Sequence, residues 1–139
     1  MKYKLITASL ALLFVLAVVP AYGDDGVYYC SEIDSNGFYY NEKSGSYERS
    51  RFKSSKFKIK LNRAVNSIEI QGHHLEIYNY EYHCNAPFSR RPEQLSCSAE
   101  FTVVNFNTSN GRFVKSLLNG YVNSDGDSLI ISYGKCDKF

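Results

Sequence analysis

The side chains best suited to proton transfer or metal binding lie between His73 and Cys84, a stretch that holds all three histidines of the chain. Adjacent strand residues face opposite sides, so His73 and His74 do not converge on one metal ion. His83 and Glu81 share a strand face and could form an acid–base pair or half of a metal site, but the sequence places no third ligand beside them. We therefore interpret the histidines as exposed side chains and expect no metal.

The same stretch carries a tyrosine at every second position, Tyr78, Tyr80 and Tyr82. In a strand these three side chains share one face. If they point into a cavity, their hydroxyls need buried partners, which water or a ligand would supply. If they point outward, they are cross-strand pairing residues on a wet surface. The three tyrosines are the candidate ligand-binding residues, and the sequence leaves both orientations open.

Nucleophilic catalysis finds no support in the motifs. The sequence has no G-x-S-x-G element and no Ser/His/Asp constellation, and its carboxylates are scattered, mostly next to turns, so a glycosidase pair cannot be assigned. We predict that the protein is not an enzyme and uses no cofactor.

The four cysteines are Cys30, Cys84, Cys97 and Cys136. An even number in a short exported chain indicates two disulfides, with three possible pairings. We favour Cys84 with Cys97, which closes a local loop, and Cys30 with Cys136, which ties the first strand to the last. Zinc is the alternative, but neither C-x-x-C nor a suitable histidine spacing is present.

Two groups of basic residues are candidates for contacts with a partner. Arg90 and Arg91 lie in the loop of residues 85–94, and presented loops commonly carry binding function. The segment 43–63 is also basic, but strand alternation places its Phe57 opposite the lysines, which does not suit a nucleic-acid surface. We interpret this segment as a solvated outer face, with an anionic glycan or a lipid headgroup as the alternative ligand.

The N-terminus has the three-part pattern of a secretory signal peptide: two lysines, an apolar run over residues 5–19 and small residues at positions 21 and 23. We predict a signal peptide over residues 1–23, because the run is shorter than the ~20 residues of a membrane anchor. Its removal takes away two of 16 basic residues and balances the 14 acidic ones. Composition then gives no support for nucleic-acid binding.

No later segment is apolar enough to span a membrane, so we expect export into the periplasm or the medium. Residues 24–139 form one predicted domain. Its short runs of aromatic and β-branched residues, separated by Gly and Asn turn signals, indicate an antiparallel meander. The predicted strands are Val27–Ile33, Gly37–Asn41, Tyr47–Phe52, Lys56–Leu61, Ser67–Gln71, His74–His83, Ser96–Phe106, Gly111–Leu117, Gly120–Asn123 and Ser128–Gly134.

The stretch "KFKIKL" indicates how this sheet is arranged. Phe57, Ile59 and Leu61 point to one side and three lysines to the other, which requires an apolar inside and a wet outside. We predict an all-β fold in which the meander closes into a small barrel, lipocalin-like or a strongly curved sheet, tied by disulfides. Closure removes the exposed edge strands. One sheet of a sandwich is the alternative.

Short motifs extend over most of the mature chain: "YYCS", "GFYY", "FKIK", "LSCS", "FN…GRF" and "SYGKCDKF". In these motifs the sequence resembles a loose group of small exported bacterial proteins of unknown function. The resemblance implies export and a cysteine-tied β fold, and it implies no activity, ligand or functional residue. Periplasmic lysozyme inhibitors are similar in size and architecture, but apart from an early cysteine after a tyrosine their motif is not present.

The sequence therefore favours a non-catalytic exported β-barrel. Such a protein would bind a small apolar or aromatic ligand inside the barrel or an envelope partner at one end. The alternative is an inhibitor or protective protein that acts on an extracellular hydrolase through the loop of residues 85–94.

Overall fold

The computed structural model describes residues 25–72, 80–85, 93–118, 121–122 and 126–139. These residues form one antiparallel sheet of nine strands. The strands are β1 (Val27–Asn41), β2 (Ser46–Arg51), β3 (Lys56–Asn62), β4 (Ser67–Gln71), β5 (Tyr80–Asn85), β6 (Gln94–Ala99), β7 (Thr102–Asn107), β8 (Arg112–Leu117) and β9 (Leu129–Lys138).

The sheet closes on itself. Each strand from β3 to β8 pairs with the one that follows it in the chain, β3 also pairs with β1, and β9 returns to pair with β1, so that eight strands form a barrel. Strand β2 pairs with the second half of β1 alone. The predicted all-β meander that closes into a small barrel is confirmed. Within the described ranges, no helix has both the length and the apolar character that a membrane span requires.

Strand β1 is 15 residues long, and its length is the main departure from the predicted strands. The sequence indicated a turn at residues 34–37, but the chain runs straight through with a bulge between Glu32 and Asp34. The glycine in this stretch serves a different purpose. A Cβ on Gly37 would lie 1.8 Å from the carbonyl oxygen of Leu129, so the missing side chain allows close approach of β9 rather than a reversal of direction.

The bulge exchanges the two faces of β1. Before it, Tyr28 and Cys30 are buried; after it, Ser35 is buried, so the inward positions change from even to odd residues. The extra residue, Ile33, is 62% exposed on the outer wall. A bulge of this kind redirects side chains next to it, and here it turns Ser35 toward the interior of the barrel.

The alternation of β3 is as predicted. Phe57, Ile59 and Leu61 are at most 4% exposed, while the three lysines between and before them face solvent. The basic segment is therefore part of the outer wall along this strand. Lys58 contributes there, because its Nζ lies 5.5 Å from the ring centre of Tyr29.

Side chains from every barrel strand fill the described interior. An eight-stranded barrel is just wide enough for this. Tyr28 meets Phe106 edge-on with ring centres 4.8 Å apart, and Phe57 meets Phe113 in the same way at 5.1 Å. The remaining core members are Cys30, Ile59, Leu61, Ile68, Ile70, Tyr82, Cys84, Leu95, Cys97, Val104 and Cys136.

Other strand boundaries also differ from the sequence interpretation. The segment Ser96–Phe106 is two strands, β6 and β7, joined by a tight turn in which Glu100 has a φ of 46°. The turn was missed because it contains neither Gly nor Asn. In Gly120–Asn123, the two described residues are not in a strand, and the other two lie outside the described residues. Strand β9 continues past Gly134 to Lys138.

Both disulfides join directly opposed residues of neighbouring strands, and both are the predicted pairs. Cys30 and Cys136 connect β1 to β9, where the barrel closes. Cys84 and Cys97 connect β5 to β6. The first bond links positions 106 residues apart in sequence and the second links positions 13 apart.

We expect the two disulfides to differ in their contribution to stability. In the chain-entropy model, the double variant Cys30→Ala/Cys136→Ala loses about 4 to 5 kcal/mol and Cys84→Ala/Cys97→Ala loses about 3 kcal/mol, because the first bond restricts a longer loop of the unfolded chain. Urea unfolding of the two variants and the wild type measures the difference. Equal losses, or a larger loss for the second variant, would contradict this expectation.

Candidate binding site

The tyrosine row contributes to the core at the one position whose side chain is described. Tyr82 is 1% exposed and belongs to the packed interior, opposite Ile68 of β4. Tyr80 is paired with Ile70 in the sheet register. Tyr78 lies outside the described residues. Tyr82 therefore fills the barrel, and an interior ligand site gains no support from it.

Of the histidine candidates, His83 is the one that lies within the described residues, together with Glu81. His83 is exposed, with Ser67 and Ser98 as its neighbours on β4 and β6. Glu81 accepts a hydrogen bond of 2.7 Å from the Ser67 hydroxyl. His73 and His74 lie outside the described residues. In the part of the chain that the structure describes, no three potential metal ligands come together.

The partner-binding candidates Arg90 and Arg91 also lie outside the described residues. The described contacts nearest to them are at Cys84, just before the predicted loop of residues 85–94. Cys84 forms its disulfide with Cys97 there, and the side-chain amide of Asn66 donates a hydrogen bond to the carbonyl of Cys84. These contacts join the end of β5 to β6 and to Asn66.

An ion pair that the sequence interpretation missed lies inside the barrel. The Nζ of Lys115 is 3.5 Å from Oε1 of Glu32, and the two side chains are 7% and 3% exposed. The Ser132 hydroxyl donates a 2.7 Å hydrogen bond to Oε1, and the backbone amide of Ser55 donates one of 2.8 Å to Oε2. Lys115 also lies 5.1 Å from the ring centre of Phe57.

Three strands position this polar group. The bulge of β1 follows Glu32 directly, and Lys115 of β8 is paired with Ser132 of β9. Lys115 could have been found in the sequence, because it alternates with Phe113 on the inward face of "RFVKSL". Glu32 gave no such signal, since its environment depends on a bulge.

The carboxyl of Glu32 is held ionised. Burial acts most strongly and opposes ionisation, but the hydrogen bonds from Ser132 and Ser55 and the charge of Lys115 outweigh it, and the pKa lies below the ordinary value. A carboxylate that stays ionised, with donors on both oxygens, is a poor proton donor. The group therefore has the character of a structural ion pair rather than of a catalytic acid.

The carboxylate of a second glutamate has three hydrogen-bond donors in the β1–β2 hairpin. Glu48 accepts hydrogen bonds from the hydroxyl of Tyr39 at 2.8 Å, the amide of Asn41 at 2.7 Å and the hydroxyl of Ser44 at 3.1 Å. The bond from Tyr39 is the largest of the effects that lower the pKa of Glu48, and it raises the pKa of Tyr39. These contacts connect β1, β2 and the turn between them, and the carboxylate of Glu48 serves as their common acceptor.

The outer wall of β7, β8 and β9 carries an open groove of about 660 Å³. Its exposed apolar side chains are Ile33, Val114 and Tyr133, which are 62%, 45% and 49% exposed. Arg112 and Lys135 are also in its lining. Small-molecule sites typically measure roughly 300 to 1,000 Å³, so the groove has a suitable size.

Strand register brings these residues together. Val114 is opposite Tyr133 and Arg112 is opposite Lys135 on β8 and β9, while the bulge of β1 places Ile33 on the same wall. The sequence does not indicate this groove, because the "KFKIKL" pattern predicts a polar outer surface on the whole barrel. A signal was present in "ISYGKC": an inward Cys136 requires an outward Tyr133.

Comparison with models of known protein families and with curated proteins gives no match. The geometry of the chain itself is therefore the basis for its functional interpretation.

We expect Glu32→Gln to lower the free energy of unfolding by about 3 to 5 kcal/mol at pH 7, because it leaves the buried Lys115 ammonium without its counter-charge. The pKa of Glu32 is held below its ordinary value, so its ionisation stabilises the fold above about pH 4.3, and this contribution is lost as the pH falls toward the folded-state pKa. Urea unfolding at pH 7 and pH 3 should therefore show a smaller difference between variant and wild type in acid.

The matched control replaces both charges. Glu32→Leu/Lys115→Met removes the ion pair without leaving either charge alone, and we expect it to recover most of the lost stability. A double variant that is less stable than Glu32→Gln would contradict the interpretation as a structural pair.

Proposed function

We propose that the protein is a non-catalytic exported binding protein whose ligand site is the groove on the outer wall of β7, β8 and β9. The observation that carries the proposal is the contrast between the two sides of the wall. The described interior is filled by packed side chains, whereas Ile33, Val114 and Tyr133 expose apolar surface together on the outside. Contiguous exposed apolar surface commonly marks a binding site.

The composition of the groove supports the same proposal. Its apolar residues accompany polar ones, including Asn105, Arg112 and Lys135. Ligand sites typically combine an apolar lining with a few polar groups that fix orientation. A small molecule with an apolar body suits this surface, and the interior position that the tyrosine row suggested is less favoured.

Three of the described glutamates have the character of structural rather than of catalytic groups. Glu32, Glu48 and Glu81 all accept hydrogen bonds from hydroxyl, amide or backbone donors. Carboxylates held in this way support the fold and the hairpin. A binding role does not require these carboxylates to transfer protons or to act as nucleophiles.

Export is the setting of the proposed function. Two disulfides and no free cysteine are typical of proteins in an oxidising compartment. The signal peptide predicted over residues 1–23 would deliver the chain there. We propose the periplasm or the medium as its location.

Native mass spectrometry tests the ligand site. The wild type, purified gently from its own compartment, is expected to carry a small molecule, and Val114→Asp is expected to reduce the occupied fraction about tenfold, because a carboxylate replaces apolar contact area in the groove. Val65→Asp is the matched control: Val65 is 58% exposed and lies in the turn between β3 and β4. An empty wild type, or equal losses in both variants, would contradict the proposal.

An inhibitor of an extracellular hydrolase is the second candidate. The observation that favours it is the disulfide Cys84–Cys97, which joins β5 to β6, the two strands that flank the predicted loop of residues 85–94. A loop presented on a rigid base loses less conformational entropy when it binds.

Hydrolase activity in envelope extracts tests this second candidate. The added wild type should lower the activity, and Arg90→Ala/Arg91→Ala should relieve the inhibition, while Lys56→Ala on the outer wall should leave it unchanged. An activity that the wild type does not alter would dispose of the inhibitor hypothesis.

A further inference from the structure

Two positive charges face each other at one end of the groove. Arg112 of β8 and Lys135 of β9 are directly opposed in the register, and both are exposed. Like charges in this position destabilise a sheet. Within the described ranges, neither side chain forms an ion pair with a carboxylate. The fold thus keeps an unfavourable pair that a bound anion would neutralise.

Polarity changes along the groove from this pair. The next outward row of β8 and β9 is Val114 and Tyr133, and the row after it contains Ile131, which is 56% exposed. From Lys135 to Ile131 is four residues, about 13 Å at ~3.3 Å per residue. The surface therefore has two cations at one end, followed on β8 and β9 by the exposed apolar side chains of Val114, Tyr133 and Ile131. Asn105 of β7 is the polar neighbour of Val114.

Two carboxylates lie near the groove, but neither belongs to its lining. Asp34, opposite Tyr133 on β1, is already paired with Arg51 at 3.0 Å. Asp137 follows Lys135 on the outward face of β9 and is opposite Tyr29. The charged residues of the lining itself are therefore Arg112 and Lys135. Asp34 has its own partner, and Asp137 lies beyond Lys135, away from Val114 and Tyr133.

We infer that the ligand is a small amphipathic anion, a single apolar chain with a carboxylate or phosphate head. This inference rests on the proposed function and adds the chemical class of the ligand. The head lies between Arg112 and Lys135, where charge-assisted hydrogen bonds reach it from both strands. The chain lies over Val114, Tyr133 and Ile33.

Calorimetric titration of the mature, disulfide-bonded protein tests the inference. Decanoate and decyl phosphate are the anionic probes, decanol is the uncharged probe and decylamine the cationic one, each below its micelle concentration. We expect one site per chain for an anionic probe and binding at least about tenfold weaker for decanol and decylamine, which lack the charge-assisted hydrogen bonds. The stronger of the two anionic probes identifies the head group. Added salt should weaken the anionic probes alone.

Charge-neutral variants locate the head group. Arg112→Gln/Lys135→Gln should weaken decanoate and decyl phosphate binding about tenfold and leave decanol binding unchanged. Lys60→Gln is the matched control, because Lys60 is an exposed lysine of β3 on another part of the wall. The double variant should also be at least as stable to heat as the wild type, since a like-charge pair is removed. If Arg112 and Lys135 instead stabilised the fold, the double variant would unfold at a lower temperature than the wild type.

The outcomes separate this inference from the proposed function. If decanol binds as tightly as decanoate and Val114→Asp weakens both, the groove is a binding site and the anionic head is wrong. If the double variant binds decanoate as the wild type does, the head group is not at Arg112 and Lys135, and the inference fails. If none of the probes binds the wild type, both the inference and the groove as a small-molecule site are wrong.

Discussion

The pairing of β1 with β9 is the constraint on which the rest of the structure depends. It brings together the first and the last strand of the sheet in chain order, and Cys30–Cys136 fixes it covalently. Without this pairing the remaining strands would form an open sheet, and no enclosed interior would exist for the aromatic core or for the ion pair of Glu32 and Lys115. The bulge in the same pair of strands turns Ile33 outward, so one irregularity shapes both the inside and the outside of the wall.

Much of the fold could be predicted because its signals are local. Strand alternation in "KFKIKL" indicates the inward face of β3, and an even number of cysteines in a chain with a predicted signal peptide indicates two disulfides. The long β1 could not be predicted in the same way. Asp34 to Gly37 has the composition of a turn, and only the close approach of Leu129 shows why Gly37 is needed in an extended strand.

Less of the candidate site could be predicted, because a site on a barrel wall depends on register between strands distant in sequence. Arg112 and Lys135 are unremarkable in the sequence, and their opposition exists only once β8 and β9 are paired. The regular spacing of the tyrosine row made it a candidate ligand site, but Tyr82 is a core residue. Local spacing shows that the three tyrosines would share one strand face, but it leaves open whether that face points into the barrel or out of it.

The position of the closing strand has a consequence for how the chain folds. Because β9 is formed by the last residues, Leu129–Lys138, the contacts that complete the barrel are also the most distant in sequence, and such contacts slow folding. Until the C-terminus arrives, β1 and β8 present unpaired backbone edges that invite association with other chains. In a chain truncated before Leu129 those edges would stay unpaired, so we expect an open sheet that associates with other chains.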